Sequence, residues 1–225
     1  MKPINHIPGL WWYTAAVVVL CSGILIAAQH YPGGFDWHYT VASALASHEN
    51  NPNGSVWYAA GFGLSMALHW QYLSAIRNQL VGNHSGANRF ALLNLRIGLA
   101  GGILLGLEGV FIRDLGQWVT KGHEILGIIT FLGLYLGLVV FLVQATLQQR
   151  IYGLPALLVT VPLVAIGISQ LYLYFAQRDI GWVNTDWSEH DIPLWLSFAF
   201  WQWLAILFLT IGFGSLSLIG KRNTA

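Results

Sequence analysis

Six side chains in this sequence could act together: Asp36, His38 and Ser43 in one polar stretch, Glu108 and Asp114 around a second, and His123 shortly after it. Imidazole and carboxylate are the groups that hold zinc and similar divalent ions. They are also groups that bond to a polar headgroup. A metal held by His38, Asp36, Glu108 and His123 would polarise a phosphate or carbonyl oxygen, or activate a water. Spacing does not favour that use. Neither Asp36-Trp-His38 nor His123-Glu124 is a ligand spacing with a known mechanism, and Gly127 stands where an HExxH helix would carry its second histidine. The plainest alternative pairs Glu108 with Arg113 or Lys121 and leaves the loop histidines in water.

The elements that must position these residues are apolar. The chain is 225 residues long, 56% hydrophobic and only 8% charged, whereas soluble domains are about a quarter charged. Six apolar runs cover residues 10–28, 56–75, 90–112, 123–147, 154–175 and 193–219. Each is close to the ~20 residues that cross a ~30 Å hydrocarbon core as a helix. The expected fold is therefore an all-α integral membrane protein. It is one transmembrane domain over residues 1–225, built as a six-transmembrane-helix bundle. Lys2 ahead of an apolar run resembles a signal peptide, but the run is long and Ala28 makes a poor cleavage site, so it reads as a retained first span.

Lys and Arg set the expected orientation. With the N-terminus inside, the cytoplasmic side receives Lys2, Arg77, Arg89, Arg150, Lys221 and Arg222, and the outer side only Arg113, Lys121 and Arg178. This N-in/C-in arrangement, in a bacterial inner (plasma) membrane, puts the polar stretch Gln29–Ser55 outside as a loop lid. Asp36, His38 and Ser43 on that lid could close over Glu108, Asp114 and His123, while His48 and Glu49 face solvent. An ionisable group as deep as Glu108 is costly in lipid and marks a functional site when it faces the bundle.

Other features have plainer readings. Gly98, Gly102 and Gly106 recur every four residues and form a helix-packing face. Most of the 11 Trp fall near the outer helix ends, as an interfacial belt would. Arg89 and Arg96 share a face and reach lipid phosphates. Cys21 in its apolar run reads as a small buried residue. A b-type haem needs two facing histidines, and His69 has no evident partner at its depth. A net charge of +1 gives no basic stripe for nucleic acid. Walker loops and GxSxG elbows are absent.

Some residues carry a family resemblance. Thr40-Val-Ala-Ser43-Ala-Leu45, then Asn51-Pro52 and Trp57, precede the second run, and Gly109-Val-Phe111-Ile-Arg-Asp114 precedes His123 and Phe131. The pattern resembles the bacterial six-span family called domain of unknown function 998, and more distantly the DRAM-like autophagy-modulator group. Ser43, Leu45, Phe111, Asp114 and His123 match that pattern. Ala42, Ala46 and Ile112 depart from it, standing for a branched residue, a Gly and a Pro. The resemblance implies a six-helix membrane bundle and a loose link to membrane lipid handling. It implies no particular reaction.

The expected function is recognition or handling of a lipid headgroup or small polar molecule at the outer leaflet, lined by Asp36, His38, Ser43, Glu108, Asp114 and His123. Membrane lipid is the expected partner. One alternative is a metal-dependent hydrolase or transferase acting on lipid, with a divalent metal as its cofactor. Another is a structural subunit that docks a partner helix on the Gly98/Gly102/Gly106 face. The sequence leaves catalytic activity and oligomeric state open.

Overall fold

The computed structural model describes residues 9–81, 86–112, 122–176 and 192–220. These residues form seven α-helices: α1 (Leu10–Gln29), α2 (Ala42–Ala46), α3 (Ser55–Val81), α4 (Gly86–Leu107), α5 (Gly122–Gln148), α6 (Gly153–Ala176) and α7 (Phe198–Gly220). A π-helical turn, Glu108–Ile112, continues α4, and short 3-10 turns sit at Arg150–Tyr152 and Leu194–Leu196. No strand occurs among the described residues.

Among the described residues, five helical segments are long and apolar enough to cross a membrane: Leu10–Gln29, Gly86–Ile112, Gly122–Gln148, Arg150–Ala176 and Phe198–Ser217. Helix α3 has the length, at 27 residues, but stands outside that set. The reason is compositional. From its eleventh residue onward it carries Ser65, His69, Gln71, Ser74, Arg77 and Asn78. The bundle hides part of this polarity, since Ser65 and His69 are buried against neighbouring helices.

Small residues fix the helix crossings. A Cβ on Gly23 would stand 2.9 Å from Gly61 Cα, one on Gly63 2.9 Å from Gly106 Cα, and one on Gly133 2.7 Å from the Gly98 nitrogen. Bare backbone thus meets bare backbone at α1–α3, α3–α4 and α4–α5, which is how helices associate closely where lipid offers no hydrophobic drive. The Gly98/Gly102/Gly106 face expected to dock a partner is filled by the chain itself. Gly98 meets α5, Gly102 meets the Met66 side chain of α3, and Gly106 meets Gly63.

Helix α7 is held by hydroxyls from two other helices. Tyr13 on α1 donates to the Thr210 carbonyl at 3.1 Å, and fully buried Tyr72 on α3 donates to the Phe213 carbonyl at 3.0 Å. Buried donors of this kind must find acceptors, so they fix the rotation of α7. Helix α6 is the loosest member. It contains Pro162, which cannot donate to the helical ladder, and it exposes Leu157, Leu158, Val161, Ile168 and Leu171.

Two surface expectations change. Cys21 is exposed rather than buried, because the buried face of α1 is formed by Ala16, Leu20, Gly23, Ile24 and Ala27. Arg96 places its guanidinium 5.7 Å from the ring centroid of half-buried Trp70 on α3, so an aromatic face of the protein itself takes part of the role expected of lipid phosphates.

Candidate functional site

One end of the bundle gathers the C-terminus of α1, the loop with α2, the start of α3, the π turn, the start of α5 and the start of α7. Two ionisable pairs lie there.

The first joins α4 to α5. Glu108 opens the π turn and is 8% exposed. A π turn widens the helix by one residue and recurs at functional positions. Here it presses on α3, since a Cβ on Gly109 would stand 2.6 Å from Ala59 Cβ. Glu108 Oε2 lies 2.9 Å from His123 Nδ1 in the first turn of α5. The carboxylate therefore sits beside a helix N-terminus, where the macrodipole favours negative charge. With Glu108 ionised, Nδ1–H donates to it, and Nε2 stays available on a ring that is 46% exposed. A buried carboxylate that fixes an imidazole's tautomer and aim is the arrangement that makes a histidine useful, whether toward a ligand oxygen, a proton or a metal.

The second pair is on the loop. Asp36 Oδ1 accepts the His38 backbone N–H at 2.8 Å and lies 3.3 Å from His38 Nδ1. Both side chains are well exposed, at 42% and 67%, so water screens the pair and it contributes little stability. Ser43 is half-buried on α2.

The loop is anchored at both ends. Asn51, fully buried, donates from Nδ2 to the Ala27 and Leu45 carbonyls at 3.0 and 3.3 Å, and accepts the Gly54 N–H at 3.1 Å. Toward α7, the Tyr39 hydroxyl donates to the Ile192 carbonyl, Ser197 Oγ to the His38 carbonyl and Trp203 Nε1 to the Thr40 carbonyl, while Gln202 Oε1 accepts the Ala42 N–H at 2.7 Å. Phe35, Trp37 and Trp203 close the seam, with ring centroids 4.8 to 5.9 Å apart.

The structure therefore brings Glu108 to His123, and Asp36 to His38, without a hydrogen bond or ion pair between the two sets. Asp114 lies outside the described residues. The four-residue metal set His38, Asp36, Glu108 and His123 is corrected to two pairs. Among the described residues no three His, Cys, Asp or Glu side chains come together, because the loop is tied to α1, α3 and α7 while Glu108 faces α5. Sequence reasoning missed Ser197 and Gln202. Their only signal was polarity in the first turns of an otherwise apolar run. No protein-family model, curated protein or solved structure matches the chain.

Proposed function

We propose that this chain is a six-span protein of a bacterial inner membrane, N-in and C-in, which recognises or handles a lipid headgroup or small polar molecule at the outer leaflet. The observation that carries the reading is the 2.9 Å contact between Glu108 Oε2 and His123 Nδ1, a buried carboxylate behind a half-exposed ring at one end of an apolar bundle. The alternation of six long helices supports the span count. The Lys and Arg distribution supports the orientation, and the resemblance to the domain of unknown function 998 pattern agrees with the span count. In this reading His123 Nε2 meets the ligand, donating to an anionic oxygen when the ring is protonated and accepting from a hydroxyl or amine when it is neutral. Asp36, His38 and Ser43 bound the site on the loop side.

The test is native mass spectrometry of the purified chain titrated with phosphatidylglycerol, phosphatidylethanolamine and phosphatidylcholine. One headgroup class should bind saturably. Loss of a hydrogen bond to a charged group, worth about 1.5–3 kcal/mol, should lower that affinity by roughly tenfold or more in His123→Ala and Glu108→Gln. Indifferent binding of all three lipids, equal in the parent and in His123→Ala, would overturn the reading.

A further inference from the structure

We propose that the middle of the bundle holds a second, separate site, in which His69 binds a small neutral molecule through an O–H donor. Helices α1, α3, α5 and α7 line a partly open cavity of about 30 Å³. Leu20, Phe62, Met66, Leu134 and Leu209 are among its walls, and His69 lines it too. His69 lies about 21 Å along α3 from Ser55, at 1.5 Å per residue, well inside the apolar thickness.

The imidazole is 3% exposed. Its Nδ1 lies 2.9 Å from the Ser65 carbonyl, an acceptor only, and 3.4 Å from Ser65 Oγ; the shorter contact places the proton on Nδ1 and the lone pair on Nε2. Nε2 has no hydrogen-bond partner. The ring is held on its other sides by Phe213 at 4.7 Å and the Tyr13 ring at 5.9 Å between centroids. A buried acceptor left bare costs about 1–3 kcal/mol, and such a group calls for an unseen water, ion or ligand.

The lining sets the chemistry of the occupant. Thr130 and Thr210, the other polar residues of the wall, donate their hydroxyls back to the Leu126 and Ile206 carbonyls at 2.7 Å each. The cavity thus offers acceptors and no side-chain donor. A ketone, quinone or carboxylate would find nothing to bond. No Asp or Glu lines the cavity, so a cation would lack a counter-charge at a depth where that is expensive. A neutral hydroxyl donor is what remains. The volume is roughly two to three times the ~10–15 Å³ that one water requires, which admits a water or the hydroxyl end of a short alcohol.

Solid-state NMR of the full chain, labelled with ¹⁵N-histidine in lipid bilayers, reads the Nε2 directly. The His69 signal is assigned by its loss in His69→Phe, or in His69→Asn if the first variant does not fold. The expected result is an Nε2 signal shifted upfield from a bare lone-pair nitrogen, with a contact to an exchangeable O–H proton. A contact at the water frequency that vanishes in D₂O identifies water. A shift that moves on adding ethanol identifies the alcohol. An Nε2 that stays at the bare-nitrogen position with and without ethanol, or one that carries the proton itself, overturns the proposal.

Discussion

Glu108 Oε2 and His123 Nδ1 lie 2.9 Å apart although the residues are on different helices, one on a π turn and one in the first turn of α5. Glu108 is nearly buried and the ring is half-exposed, so the pair falls between surface pairs worth under about 1 kcal/mol and charged hydrogen bonds worth about 1.5–3 kcal/mol. A double-mutant cycle with Glu108→Ala and His123→Ala, followed by unfolding in detergent, should give a coupling of about 1–2 kcal/mol. Additive single mutants would show that the contact is not formed in solution.

Asn51 ties α1, α2 and the turn before α3 together with three hydrogen bonds at a fully buried amide. Asn51→Ala leaves two carbonyls and one N–H without that partner, at about 1–3 kcal/mol. The cost is local, so hydrogen exchange should accelerate at residues 42–55 while α4 and α5 stay protected. Gln202→Ala should loosen the other end, at Ala42, without affecting Asn51.

The glycines separate by what faces them. Gly133→Ala puts a methyl 2.7 Å from the Gly98 nitrogen and 2.8 Å from the Asn94 carbonyl oxygen. Backbone cannot step aside as a flexible side chain can, so α4 and α5 must part, and overpacking of this kind costs about 1–3 kcal/mol. Gly127, on the same helix, has nothing within 4 Å of an added Cβ. Gly127→Ala should leave the melting temperature unchanged or raise it, by up to about 1 kcal/mol of helix propensity. Equal losses in the two variants would disprove the close crossing.

Topology is tested at Ser47. In a Cys21→Ala background, Ser47→Cys should react with a membrane-impermeant maleimide added to intact cells. Labelling only after the cells are opened would reverse the proposed orientation.

Composition determined the apolar, helical character of this protein. Run length placed three long helices to within a residue at each end, while α3 runs six residues past its apolar run, α4 starts four residues before its run and α7 starts five residues into its run. Twenty apolar residues without charge have few other stable fates in lipid, because every backbone polar group must bond within its own segment. The four-residue spacing of Gly98, Gly102 and Gly106 marked a packing face without naming its neighbours. Their identity required α3 and α5 to be set beside α4. The polar end was legible as a set of residue types and illegible as a site. Asp36 with His38 could be read from a separation of two, whereas Glu108 with His123 depends on the π turn, the inter-helix approach and the first turn of α5 acting together.

His69 shows the same division. Its sequence neighbours on α3 include Ser65, whose carbonyl holds Nδ1, and that contact follows from helical spacing alone. The bare Nε2 and the cavity beside it come from Phe213, Leu20 and Leu134 on three other helices. A side chain's local bonds repeat with the helix and are written in the sequence. The empty space around it is made by distant residues, and only the tertiary structure decides it.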